Sequence, residues 1–375
     1  MKKILITGGA GFIGTHLTAM AHAAGHQIRI LDNLSPQIHG EKPEFQPPAG
    51  VEFIRGDITQ RADIERSLAG IDTIVHLAAE TGTGQSMYEI ERYYGVNVQG
   101  TALLFDVLAN APNAVRKIVL ASSRSVYGEG AYQCGDCGPG SGRCYPRPRS
   151  PEQLAAHQWE PRCPNCGGFV QAVATRESDA VAPASVYAAS KLAQEHLVSV
   201  CCGSLGVGAA ILRFQNVFGE GQSLKNPYTG ILSIFSTRIR LGLSLPIFED
   251  GRETRDFVHV EDVAGAVMSC VENDHMREGV INVGMGQATS IEDVARLLCR
   301  IMNSSTQPEI TGQYRVGDIR HNFADIGQLV AAGFRPQISL DEGMRRFCGW
   351  VMTQPVPPDL LEKANQELKA RNLMS

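Results

Sequence analysis

Three groups of residues in this chain have types and spacings that could do chemistry. Tyr187 and Lys191 stand four apart in Val186-Tyr187-Ala188-Ala189-Ser190-Lys191, which on a helix places both side chains on one face. A free phenol titrates near ~10 and is a poor base at neutral pH, whereas an adjacent ammonium favours the phenolate. The pair is therefore a candidate base for taking the proton of a hydroxyl. The second group is Gly8-Gly9-Ala10-Gly11-Phe12-Ile13-Gly14. Gly8 permits a tight turn, Gly11 lets a pyrophosphate reach the backbone and a helix N-terminus, and Gly14 lets that helix pack closely on the preceding strand. The first gap is one residue longer than in the shortest dinucleotide-binding turn, so the context must support it. The third group is a pair of knuckles, Cys134-Gly135-Asp136-Cys137-Gly138 and Cys163-Pro164-Asn165-Cys166-Gly167. Two Cys-x-x-Cys knuckles can wrap one Zn²⁺ tetrahedrally, and four thiolates would close its coordination shell, making the ion structural rather than catalytic. Iron would fit the same sulfur site.

The elements that must position these groups follow from the apolar pattern. Short apolar runs at 3–7, 27–31, 51–55, 73–76 and 117–122 alternate with helical periodicity at 12–24 and 96–108. That alternation predicts an α/β fold, a doubly wound parallel sheet covered on both faces. Asp32 ends the second strand, where an acid should grip the adenosine ribose and repel a 2′-phosphate, so NAD is expected rather than NADP. Asp57, with Ile58, follows the third strand and is placed to meet the adenine edge. Segment 186–205 reads as a long helix and 209–213 as a further strand. Beyond it come helices near 231–241, 260–271, 291–301 and 340–351, strands near 245–248 and 280–283, and a charged helix or frayed tail at 359–371. The division expected is an NAD-binding domain over 1–215 and a smaller, partly interleaved substrate-binding region over 216–375. Residues 128–183 interrupt the first domain as a Cys-, Pro-, Gly- and Arg-rich insertion with no sustained period, too long for a plain loop unless something organises it.

Composition narrows the partners. Hydrophobic residues make up 43% and charged residues 19%, which is ordinary for a globular chain. With 34 basic and 39 acidic residues the net charge is −5, giving no reason to expect nucleic acid or an anionic membrane as partner. The amino terminus has too short an apolar run for a signal peptide or a spanning helix, so a cytoplasmic location is expected. Ten cysteines then call for metal or burial rather than disulfides. Cys144 is the spare of the insertion.

Taken in order, several segments resemble the nucleotide-sugar epimerase/dehydratase family of extended short-chain dehydrogenases/reductases. They are the glycine turn, His76-Leu77-Ala78-Ala79, Ser122-Ser123-Arg124-Ser125-Val126-Tyr127-Gly128, the Tyr-x-x-x-Lys, Arg213-Phe214-Gln215-Asn216-Val217-Phe218-Gly219, Arg255-Asp256-Phe257-Val258-His259-Val260 and Arg315-Val316-Gly317-Asp318. The resemblance covers nearly the whole chain outside the cysteine insertion. It implies catalysis by Ser123, Tyr187 and Lys191, with Ser123 on the reacting sugar hydroxyl and Lys191 also on the nicotinamide ribose. The implied cofactor contacts are Gly8, Gly11, Phe12, Ile13, Gly14, Asp32, Asn33, Asp57, Ile58, Leu77, Ala78, Ala79, Asn97, Ser122, Tyr187, Lys191 and Gln215. Of these, Asn97 would support the helix carrying the pair, and Ser122 would face the cofactor. The implied substrate contacts are Thr81, Ser123, Asn216, Thr229, Arg255, Arg315 and Asp318.

In the dehydratase branch the two residues after the catalytic hydroxyl are acidic. Here they are Arg124 and Ser125, which points to epimerisation through a transient 4-keto sugar. Segments 84–93 and 226–230 resemble the dTDP-L-rhamnose 4-epimerase branch, and an apolar lining near Met87 would suit a 6-deoxy sugar. The alternative substrate is a UDP-sugar. The resemblance also implies a homodimer packed through the 186–205 helix. Two readings of another class are a zinc-ribbon nucleic-acid-binding protein and a non-catalytic NAD sensor; the first lacks a basic surplus, and the intact Ser123, Tyr187 and Lys191 speak against the second.

Overall fold

Strand Lys3–Thr7 (β1) is apolar along its length and runs straight into the glycine turn, which leads to the helix Phe12–Ala23. The same strand–helix alternation produces Gln27–Asp32 (β2), Glu52–Arg55 (β3), Thr73–His76 (β4) and Lys117–Ser123 (β5). In this computed structural model, which describes residues 1–41, 43, 45–138, 142–224, 230–273 and 278–374, these strands join Gly208–Phe214 and Glu278–Val283 in one seven-stranded sheet. Every pairing in it is parallel, and the order is β3-β2-β1-β4-β5, then Gly208–Phe214, then Glu278–Val283. The chain turns outward in both directions from β1 and β4, so the switch point of the sheet lies beside the glycine turn, where open α/β sheets bind ligands.

Both faces of the sheet are dry. One packs Ile4, Ile6, Ile30 and Val75 against the helices Phe12–Ala23 and Val260–Glu272. The other packs Leu5, Leu31, Ile74 and Ile118 against Leu104, Leu108 and Val198. The seventh strand and the Val260–Glu272 helix both come from chain beyond residue 215, so the two regions interleave. A separate core around Phe218, Phe235, Leu298 and Phe347 holds the helices Ile231–Arg240, Ile291–Ile301 and Leu340–Thr353 together.

Two elements differ from the pattern-based expectation. The helix expected at 96–108 opens as a π-helix over Tyr94–Gln99 before continuing as Gly100–Asn110; such widened turns recur at functional sites. The expected charged helix or frayed tail is a docked helix, Leu361–Lys369, with Leu361, Ala364, Asn365 and Leu368 buried on one side. Its i, i+3, i+4, i+7 spacing was the available signal.

The described part of the insertion forms short strands and a helix without a regular period. Tyr132–Cys134 pairs antiparallel with Arg143–Cys144 and with Val170–Ala172, and a short helix, Pro151–Ala155, is capped by the Ser150 hydroxyl. Among the described residues, no helix is long and apolar enough to cross a membrane.

Candidate active site

A cleft of about 860 Å³ runs from the glycine turn, past Ser123, Tyr187 and Lys191, to Arg255, Arg315 and Asp318 in the C-terminal region. Its floor is the carboxyl end of the sheet.

The glycine turn is shaped for close approach. Gly8 has φ +70, and a Cβ there would lie 2.8 Å from the Ala78 nitrogen. A Cβ on Gly14 would lie 2.6 Å from the Gly8 carbonyl oxygen. Gly11 caps the Phe12–Ala23 helix without any side-chain bond, leaving the first-turn amides and the positive end of the helix dipole open to an anion. Asp32 lines the same end of the cleft. Its carboxylate is fixed by the amides of Ala10 (3.0 Å) and Leu34 (2.9 Å), and each oxygen keeps a lone pair for a ribose hydroxyl. Phe12, Ile13, Asn33, Ile58, Leu77, Ala78 and Ala79 line the groove as well. Gln215 lines it with both amide atoms buried and unpaired, an orphan that a bound carboxamide would satisfy. The residues present fit NAD.

The helix bearing the tyrosine starts at Val186 because Ser185 accepts the Ala188 amide, and it stops at Leu205 because Gly206 takes a left-handed conformation. Tyr187 and Lys191 both line the cleft. Lys191 donates to the Ala121 carbonyl (2.8 Å) and to Gln194 Oε1 (2.9 Å). Gln194 in turn donates to Thr101 Oγ1 (2.8 Å), which meets His76 Nε2 at 3.0 Å, and His76 Nδ1 meets Thr7 Oγ1 at 2.7 Å. This buried polar chain ties the lysine to β1 and β4. Burial and the charge of Lys191 hold His76 neutral, pushing it down to about 3, so it serves as a fixed strut.

Groups besides Lys191 act on the phenol. Burial raises the Tyr187 phenol above its ordinary value, and what opposes burial is a hydrogen bond with the Ser123 hydroxyl and the charge of Arg124. Lys191 is directed elsewhere, and burial pushes it down to about 7 against the pull of Glu195. Arg124 lines the cleft beside Ser123 and donates Nε to Asn216 Oδ1 at 2.9 Å. Burial, reinforced by Arg255, pushes Arg124 down to about 9.

Two further expectations change, and a third is narrowed. Ser122 lines the cleft, but its hydroxyl is turned away from it: Oγ donates to Glu195 Oε1 at 2.5 Å, and Glu195 is clamped by Arg213 through Nε and Nη2. A buried carboxylate needs donors, and Ser122 is one of them. Asp57 lies outside the cleft lining and accepts from Asn33 Nδ2 and Thr59; it shapes the loop that presents Asn33. Asn97 also lies behind the lining. It donates to Ser190 Oγ (2.9 Å) and the Glu80 carbonyl (3.1 Å), so it braces the Tyr187 helix as expected but does not face the groove itself.

The far end of the cleft gathers the expected substrate groups. Thr81, Asn216, Arg255, Arg315 and Asp318 all line it, whereas Thr229 lies outside the described residues. Arg315 stacks over Phe248 (4.7 Å) and donates to Asn365 Oδ1 (3.1 Å), while its buried Nε has no partner. Arg255 gives Nη1 and Nη2 to the carbonyls of Thr254, Ile319 and Arg320, so it organises backbone as well as facing the cleft. Met87 is outside the lining and 38% exposed, so it provides no apolar wall. Phe248, Glu249, Glu253 and Leu361 line the cleft without having been singled out in sequence; only Leu361 had a readable signal, the spacing of its helix.

In the insertion, the Sγ atoms of Cys134, Cys137, Cys163 and Cys166 all lie within 4.8 Å of one another. Cys134 and Cys166 are 3.5 Å apart and Cys137 and Cys163 are 3.7 Å apart, too far for disulfides at ~2.05 Å.

A sequence profile of the NAD dependent epimerase/dehydratase family matches residues 4–151 and 166–284. The chain belongs to that family. The unmatched stretch between those segments falls inside the cysteine insertion. This family member is 39% identical over 356 residues to a dTDP-L-rhamnose 4-epimerase of Burkholderia thailandensis, covering 93% of this chain and 95% of the other. It is 29% identical to a putative UDP-glucose 4-epimerase of Methanocaldococcus jannaschii, over 93% of this chain and 98% of that one. Among solved structures it superposes on the UDP-glucose 4-epimerase of Thermus thermophilus in complex with NAD, with a TM-score of 0.71 at 26% identity, covering 94% of this chain and all of that one.

Proposed function

We propose that this chain is an NAD-dependent 4-epimerase of a nucleotide-activated deoxyhexose, with dTDP-L-rhamnose and dTDP-6-deoxy-L-talose as its substrate pair. One observation carries the reading: a single cleft runs from a dinucleotide cradle, past a half-buried phenol hydrogen-bonded to Ser123, to an arginine-rich end. The sugar preference rests on the 39% identity to the Burkholderia thailandensis enzyme.

NAD, when held by the glycine turn and Asp32, would supply the hydride acceptor and donor for the sugar carbon. The protein does the rest. Tyr187, as phenolate, takes the proton of the sugar 4-hydroxyl, and Ser123 donates to the same oxygen. Arg124 favours the charged phenolate. Asn216, Arg255, Arg315 and Asp318 hold the nucleotide end, arginine being suited to diphosphate by its planar fork. Inversion at C4 requires the ketone to turn over, so the ring must be held loosely and the diphosphate firmly. The concentration of donors at the far end meets that requirement. Arg124 and Ser125 offer no carboxyl group to eliminate water, which speaks for epimerisation over dehydration.

A panel of dTDP- and UDP-sugars, read by product stereochemistry, tests this. Turnover of dTDP-L-rhamnose to its C4 epimer is expected. Exclusive turnover of UDP-sugars would shift the reading to a UDP-sugar 4-epimerase, which the Methanocaldococcus and Thermus relatives favour.

A structural zinc in the insertion belongs to the same proposal. Zn–S bonds of ~2.3 Å in a tetrahedron put sulfurs ~3.8 Å apart, close to the spacings found. The Gly168 amide points at Cys166 Sγ (3.4 Å), as a thiolate ligand requires. Cys144, buried, with its thiol pushed up to about 11 by burial, is the spare. By resemblance, two copies would pair through the Val186–Leu205 helix, whose Val200 is 71% exposed.

A further inference from the structure

Glu160 stands three residues before Cys163, with Pro161 and Arg162 between them. Its Oε1 accepts from Arg320 Nε (2.9 Å) and Nη2 (2.7 Å), and its Oε2 meets His321 Nε2 at 3.1 Å. On the other knuckle, Cys134 ends the strand that begins with Tyr132. The Tyr132 hydroxyl donates to Glu129 Oε2 (3.3 Å), and the same oxygen accepts the backbone amide of Arg320 at 2.7 Å. Between the knuckles lies Arg149, whose side chain is only 1% exposed. It pairs with Glu249 at 2.8 Å and donates Nη2 to the Asp318 carbonyl at 2.8 Å.

All three arms of the insertion therefore end on one stretch, 318–321. That stretch also receives Arg255, through the carbonyls of Ile319 and Arg320, and it carries Asp318 on the cleft wall. An ion pair fixes a loop only if its other side is itself fixed. The insertion's own apolar core is Tyr132, Cys134, Cys144 and Cys163, and two of its three strands are the ones bearing Cys134 and Cys144. Such a unit becomes a firm anchor when its knuckles are closed on an ion.

We propose that the zinc-closed insertion is a latch that positions the nucleotide end of the substrate cleft, with Glu160 and Arg149 as positioning residues acting through 318–321 on Asp318 and Arg255. The proposal rests on the reading of the cleft and of the cysteine site given above. It places the insertion's effect on substrate affinity, apart from the proton and hydride chemistry at Tyr187.

The test is calorimetric titration of the NAD-loaded protein with dTDP and with UDP. Wild type is compared with Glu160→Gln and with wild type stripped of zinc by chelation, zinc and NAD being counted in each sample. Glu160→Gln is expected to keep its zinc, its NAD and its kcat while losing about 5–10-fold in nucleoside-diphosphate affinity, a modest coupling. Stripped protein is expected to lose at least as much and to regain it when zinc is restored. Unchanged affinity in both samples, with zinc verifiably gone from the second, would overturn the latch and leave the cleft reading intact. A drop confined to Glu160→Gln, in protein that never held zinc, would overturn the metal as the clasp. Wild-type protein that binds neither dTDP nor UDP would remove the cleft reading and the latch together.

Discussion

The sheet and the cysteine insertion hold their loops by different physics. The sheet buries long apolar runs on both faces, such as Ile4, Ile6 and Leu5 of β1, each contributing ~1.5–3 kcal/mol. The insertion, from 128 to 183, buries a tyrosine and three cysteines as its own core, while fixing each backbone residue costs ~1–2 kcal/mol. Structural zinc in small peptides contributes ~10–16 kcal/mol, so a ligand can replace what apolar burial does elsewhere. The difference teaches where function is vulnerable. On the proposed reading, the chemistry would sit on the part stabilised by burial, and a component of substrate positioning on the part that a bound zinc would stabilise.

The largest effect should fall on the sheet side. Tyr187→Phe removes the base but not the cradle, so epimerisation should drop by about 10²–10⁴-fold with NAD content unchanged. A rate near wild type would show that another group takes the proton. Chelation addresses the insertion. Amides of 132–134, 143–144 and 170–172 should lose hydrogen-exchange protection while those of β1, β4 and β5 keep theirs. Equal loss in both would mean that the two regions form one cooperative unit.

A smaller effect, within the burial-stabilised part, concerns Arg124. The phenolate is the active form, and a nearby cation lowers the pKa at which it forms. Removing that cation in Arg124→Met should therefore raise the pKa, moving the ascending limb of the kcat/KM pH profile to more alkaline pH, and Arg124→Lys should restore most of it. An unmoved limb would leave Ser123 as the sole group opposing burial. The smallest change expected is Ser122→Ala, which removes one donor from buried Glu195. It should cost about 1–3 kcal/mol of stability, measured by denaturant unfolding, with KM and NAD retention unaltered; loss of NAD would return Ser122 to the cofactor side.

Much of the site was legible because its signals are local. The glycine turn, Tyr187 with Lys191, and the two knuckles each occupy one short segment, and backbone geometry alone relates their members. The long helix at 186–205 and the parallel sheet could be read for the same reason, since apolar runs alternating with helical period imply parallel crossovers. The partners of Asp57, Ser122 and Asn97 could not be read locally, although the resemblance gave Asn97 its bracing role. Each partner lies far along the chain: Asn33 for Asp57, Glu195 for Ser122, Ser190 for Asn97.

By itself, then, the sequence determined the family, the parallel sheet, the dinucleotide cradle and the four thiols, because these depend on residue type at short spacing. Tertiary structure decided what each charge faces. It turned Lys191 toward Ala121 and Gln194, set Arg124 on the cleft wall beside Ser123, and brought Glu160 and Arg149 onto 318–321. Charge interactions depend on distance and burial in space, and no short stretch of chain encodes either.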